Sequence, residues 1–184
     1  MQDTFGGLWL NLGVDAFSGV TPARSRPGIG LRPGGERPDL EDDVVLLYAG
    51  LFASVATLSR LGLGVVVDVG LHDRYSRPLG ILELVARRLQ GTPAYFVGVR
   101  CPLEVIMARR DEGTPEDAER YMTTSPEGSI PEPVVRWQAA VHTPGVYDVE
   151  VDTSVASPTE CATTIRRRLE AGPPTAFSHL LSSR

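Results

Sequence analysis

The 184-residue chain contains no lysine; all 18 of its basic residues are arginines. That absence excludes a Schiff-base lysine, a lysine general base and a phosphate-loop lysine anywhere within it. Arginine-favouring codon usage in a GC-rich genome is enough to explain the composition. Cysteine is scarce too. Cys101 and Cys161 stand far apart at no metal-binding spacing and follow no leader-like segment, so free thiols in a reducing cytoplasm are expected. Single histidines, His72 and His142, have no second ligand at metal spacing and are expected at the surface or at helix ends. With a net charge of −5 the chain lacks the basic footprint of a nucleic-acid binder. The longest uncharged run, Val44 to Ser59, has 16 residues and includes Tyr48, Ser54 and Thr57. A membrane span needs about 20 apolar residues, so a buried core helix is expected and no membrane partner. No G-x-S-x-G, H-E-x-x-H or paired C-x-x-C occurs. "GIGLRPGG" at 28–35 has glycines but follows no strand, which rejects it as a dinucleotide or phosphate loop.

What is there reads as one α/β domain. Hydrophobic residues make up 42% and charged residues 22%, ordinary for a soluble chain long enough to bury a core. Gly6-Gly7 ends a short helical piece and Leu8–Val14 follows as a buried strand with Asp15 at its tip. Thr21–Pro38, rich in Pro, Gly and Arg, predicts an irregular loop. Asp39 offers a cap for a helix running to Gly62, with Glu41, Asp42 and Asp43 placed against its N-terminus. Gly64–Asp68 is a β-branched strand ending on Asp68. Ser76 caps a helix through Leu89, with Pro78 in its first turn. Ala94–Val99 is a third strand, and Pro102 opens the helix "LEVIMARRDE". A polar, lid-like segment spans 112–133. Val134–His142 forms a helix, Tyr147–Val151 a fourth strand and Pro158–Leu169 the last helix. From 171 to 184 no periodicity is visible, and a flexible tail is expected.

Strands alternating with helices predict a mostly parallel sheet with helices on both faces. Ligands of such sheets bind beyond the carboxyl ends of the strands, where Asp15, Asp68, Arg100 and Asp152 are expected. Asp15 either caps a turn or accepts a proton from a hydroxyl nucleophile. Asp68 is either a solvated turn residue or a strand-end acid near a metal, with Asp73 a further group aimed there. Arg109, Arg110, Arg120 and Arg136 flank the lid-like segment, as a solvated face or as phosphate clamps.

The blocks "WLNLGVD", "VVVDVGL", "YFVGVRCPLEV", "QAAVHTPGVYDVEVDTS" and "SPTECATTIRRRL" resemble successive blocks of the chloramphenicol phosphotransferase-like family, in its order and over 1–170. The resemblance implies a P-loop kinase fold and transfer of a phosphoryl group from ATP, with Mg2+, to a hydroxyl of an antibiotic or similar small molecule. It implies Asp15 as catalytic base and Asp68 as the acid that places magnesium through water. Thr153 and Ser154 would lie against the adenine, and Arg109 matches the first arginine of the helix leading to the lid. The family's R-G-D-R lid motif is replaced, Gly113 and Glu116 standing where its arginines fall; Arg110, Arg120 and Arg136 are the candidates to substitute. The family also opens with a strand, a G-G-S-S-x-G-K-S loop and a helix, of which Met1–Thr4 matches only the end. The implied fold therefore lacks its first, central strand, between those ending at Asp68 and Val99. Three expectations follow: a kinase whose start is set too late, a module that has lost catalysis and keeps small-molecule binding or protein interaction, or a related fold acting on another hydroxylated metabolite.

Overall fold

The computed structural model describes residues 5–26, 37–114 and 121–182. Met1–Thr4, most of the loop expected at Thr21–Pro38, and Glu116 and Arg120 of the lid-like segment lie outside the described residues. Four short strands occur among those described: β1 (Trp9–Asn11), β2 (Gly64–Val66), β3 (Val97–Arg100) and β4 (Val149–Asp152). Helices α1 (Val14–Gly19), α2 (Glu41–Arg60), α3 (Ile81–Arg88), α4 (Leu103–Asp111), α5 (Glu132–Val141), α6 (Pro158–Glu170) and α7 (Ala176–Ser182) alternate with them. The class is α/β with parallel strands, as the sequence pattern predicts. The sheet is small and interrupted. β1 pairs with β2 and β3 with β4, both parallel, and no ladder joins β2 to β3 among the described residues. The break falls where the family resemblance leaves out its central strand.

Two apolar clusters follow the same division. The larger gathers Val44, Leu51, Phe52 and Val55 of α2 with Ile81, Val85 and Leu89, and partly buried Val65, Val67 and Val69 pack against it. The smaller joins Val151 to Cys161 and Ile165, with Val97 and Val149 alongside. The segment Pro38–Arg60, with mean hydropathy 1.4, is long and apolar enough to cross a membrane by length and composition alone. Leu51 and Phe52, 1% and 3% exposed, make it the central helix of the larger cluster.

Several expected boundaries shift for reasons the packing supplies. Asp15 is not a strand tip but lies in the first turn of α1, because β1 ends at Asn11. Asp39 sits in a short 3-10 turn, where Arg37 holds its carboxylate and keeps it below the usual carboxylate range. Ser76 does not cap α3. Its N–H and hydroxyl both donate to the carboxylate of Glu41, each at 2.7 Å, and Glu41 is 1% exposed. Gly80 is the N-cap, and the Asp73 carboxylate accepts from the first helical N–H, that of Ile81, at 2.7 Å. Gly80 precedes α3 with φ of +67°, a left-handed conformation that a side chain would strain. His72 is buried rather than superficial, 1% exposed, stacked on Tyr75 and edge-on to Trp137. The expected tail carries α7 instead. Ala176 is 1% exposed and Phe177 stacks on Phe96, so apolar docking orders a segment with no clear period.

Candidate functional site

The carboxyl ends of the two strand pairs hold two groups of side chains. On the first pair, the Leu12 N–H donates to the Val66 carbonyl at 2.9 Å and the Val14 N–H to the Asp68 carbonyl at 3.0 Å. The chain thus keeps following β2 past the last ladder residue and turns into α1 only at Val14. A side chain cannot stand between them: a Cβ at Gly13 would lie 2.8 Å from the Asp68 carbonyl oxygen. Gly13 therefore lets the backbone just ahead of Asp15 run against that of Asp68. Both residues are exposed.

On the second pair, Arg109 reaches from α4 to the loop after β4. Its guanidinium donates to the Thr153 carbonyl at 2.6 Å and lies 3.3 Å from the Thr153 hydroxyl and 3.6 Å from Cys101 Sγ. The Thr153 N–H donates back to the Arg100 carbonyl at 2.9 Å. Asp152 accepts from both the N–H and the hydroxyl of Ser154, at 2.8 and 2.6 Å, and these bonds hold its carboxyl below the usual range. Gln138 of α5 donates to the Cys101 carbonyl at 2.8 Å. Arg109 with Thr153, and Ser154 with Asp152, are thus two hydrogen-bonded pairs side by side in the loop after β4.

Arg110 and Arg136 are engaged elsewhere. Arg110 donates to the Met122 carbonyl at 3.3 Å and lies over Tyr121, and burial lowers its pKa. Beside it, Asp111 accepts from the Thr124 N–H at 2.9 Å, so both residues fasten the far end of the lid-like segment to α4. Arg136 pairs with Glu132 one turn back on α5, an exposed pair of ordinary helix-surface kind. Arg100, expected among the strand-end groups, pairs with Glu150 and lies over the Tyr147 ring. Sequence reasoning overlooked Gly13 and Gln138; a glycine two residues before a strand-end acid was the available signal for the first.

A nucleotide with magnesium needs more than these groups. The resemblance assigns Asp68 alone to a metal's water, and no set of three or more His, Cys, Asp or Glu that could hold a metal gathers among the described residues. Residues 1–184 contain no lysine, and among the described residues no glycine-rich loop follows a strand to cradle phosphates. The groups present therefore fit only part of such a ligand.

Parallel strands alternating with helices, with carboxylates at the strand ends, define an α/β protein of P-loop-like build. The chain belongs to the chloramphenicol phosphotransferase-like family, whose model matches residues 1–170. Membership places it with transferases of the phosphotransferase kind, for which a nucleotide and Mg2+ are the general cofactors. No curated protein and no solved structure matches the chain.

Proposed function

We propose that this chain is the acceptor-binding body of a small-molecule O-phosphotransferase, working in the cytoplasm on a hydroxylated compound of the chloramphenicol type. The observation that supports the reading is the Gly13–Asp68 approach at the carboxyl end of adjacent parallel strands, just ahead of Asp15. Asp15 accepts a hydrogen bond from the acceptor hydroxyl and takes its proton as the oxygen becomes a nucleophile. Asp68 offers its carboxylate to a metal-bound water. Thr153 and Ser154, fixed by Arg109 and Asp152, form the facing wall against a nucleotide base. ATP with magnesium is the proposed donor once a phosphate cradle is present. The partner is a small molecule, neither nucleic acid nor membrane.

A second reading rests on the missing lysine and phosphate loop within residues 1–184: a module that binds the acceptor and no longer transfers to it. Calorimetry on the 184-residue chain tests what the two share, and transfer by an N-terminally extended chain separates them. Both readings expect the acceptor to bind and Asp15→Asn to weaken it by about tenfold, the loss of one charged hydrogen bond. Tight binding of ATP with magnesium removes the second reading. The chain extended at its N-terminus by a strand and a phosphate loop should transfer phosphate, and Asp15→Asn should then cut turnover by about 100-fold or more. Undiminished turnover in that variant would remove Asp15 as the base.

A further inference from the structure

No ladder joins the two strand pairs among the described residues, so side chains and helices carry the contact between them. Near the amino end of β3, Phe96 stacks on Phe177 of α7, and both pack against the larger cluster. At the carboxyl ends α5 makes a span. Successive residues of a helix point about 100° apart, so neighbours on one helix can serve two different partners. Trp137 turns to the first pair. Its indole lies so close over Gly70, two residues past Asp68, that a Cβ there would collide with Cζ2 and stand 2.8 Å from Cη2. The same indole meets buried His72 edge-on, with ring centroids 5.4 Å apart, and His72 Nδ1 accepts from the Arg74 N–H at 3.1 Å. Gln138 turns to the second pair. Its amide donates at 2.8 Å to the carbonyl of Cys101, the residue after β3, and Arg109 lies 3.6 Å from the sulfur of that cysteine. Val134 and Ala140, both buried, seat the helix.

We propose that Trp137 and Gln138 are positioning residues: docked α5 ties the segment after β2 to the segment after β3 and so couples the Asp68 end to the Arg109–Thr153 pair. The two contacts differ in kind. The indole contact is close packing without room for one methyl group, so the ring and the Gly70 backbone move together or lose contact. The amide contact is a directional bond, lost when donor and acceptor part by a few tenths of an ångström. Adjacent Cα atoms are about 3.8 Å apart on one rigid helix, so a displacement at either contact reaches the other. A packed, contiguous element held at both ends is the physical means of such coupling. Neither side chain touches a reacting atom; both act through the backbone at Gly70 and Cys101. Resting on the phosphotransferase reading, the consequence is that α5 holds the acceptor side and the nucleotide side of one site at a fixed separation.

The test follows amide exchange by NMR at Thr153, whose N–H donates to the Arg100 carbonyl one residue before Cys101. Trp137→Ala removes the contact with the first pair alone, yet it should speed exchange at Thr153 on the second pair by about tenfold, the weight of one hydrogen bond. The Cys161 N–H inside α6 should stay unchanged as the reference. Gln138→Glu keeps the shape but cannot donate to the Cys101 carbonyl, and in that background Trp137→Ala should add nothing further at Thr153. Gly70→Ala, which pushes the indole away by one methyl group, should repeat the effect and replaces Trp137→Ala if that variant fails to fold. In the opposite direction, Trp9→Phe leaves Trp137 as the sole tryptophan, and Gln138→Glu should then move its fluorescence emission to longer wavelength. Unchanged exchange at Thr153, a rise that persists undiminished beside Gln138→Glu, or unmoved emission overturns the proposal. These readouts need no ligand, so the coupling can fail while the phosphotransferase reading stands, and that reading can fail on its calorimetry while the coupling stands.

Discussion

Gly13 decides by lacking a side chain how closely the turn after β1 approaches Asp68. Alanine there would put a methyl carbon 2.8 Å from the Asp68 carbonyl oxygen, and the turn or β2 would have to move. Gly13→Ala is expected to cost about 1–3 kcal/mol, the usual range for overpacking, measured by urea denaturation. The same displacement should weaken acceptor binding, because it moves the backbone just ahead of Asp15. Glu41 shows the opposite case, a charge that the fold encloses. Its carboxylate is covered by the N–H and hydroxyl of Ser76, with Arg77 Nε at 3.8 Å. First-turn acids usually face solvent, and only the return of the chain after β2 puts this one inside. Tyr48, half-way down the same helix, is enclosed so far that burial pushes its hydroxyl up to about 12.

Helix α6 was legible as an element because its signals are local. Ser157 accepts from the Glu160 N–H at 3.3 Å while the Glu160 carboxylate accepts from the Ser157 N–H at 2.8 Å, a reciprocal cap. The same bonds hold the Glu160 carboxyl low. Ser157→Ala should cost about 1 kcal/mol, read from the denaturation midpoint. Helix α7 was hidden because its order comes from elsewhere. Asp148, with a side chain 0% exposed, accepts from the Thr175 and Ala176 N–H groups at 2.7 and 3.2 Å and from Arg168 at 3.2 Å. Its second oxygen takes the Phe96 N–H at 2.9 Å, so one carboxylate ties β3, α6 and the start of α7 together. Asp148→Ala is expected to cost about 3 kcal/mol, as breaking a buried pair does. Amide exchange at Thr175 and Ala176 should then rise well before that of α2, which shares none of these bonds.

Across the whole molecule, His142 connects the end of α5 to the approach of β4 through a 2.8 Å contact between its Nδ1 and the Tyr147 hydroxyl. Burial, and next the charge of Arg100, lower its pKa below the ordinary value of 6.5. The folded state thus binds its proton less readily than the unfolded one. Stability from this group is complete above pH 6.5 and is lost as pH falls through that value toward the folded pKa. Denaturation midpoints followed from pH 8 to pH 5 should fall for the native chain and fall less for His142→Gln, a flattening that checks the assignment.

The sequence by itself determined the α/β class, the order of strands and helices and the absence of a phosphate-loop lysine, because periodicity, caps and composition are local properties. It also marked Asp15 and Asp68 as strand-end residues and Arg109 beside the lid-like segment, and the family resemblance added Thr153 and Ser154 in the loop after the last strand. Tertiary structure alone decided which of them meet. Gly13 and Val14, just ahead of Asp15, meet the backbone of Asp68, and Arg109 finds Thr153 across 44 residues of chain. It likewise enclosed Glu41 and His72 and engaged Arg110 and Arg136 away from the strand ends. Such pairings depend on how separate elements pack, which no local pattern encodes.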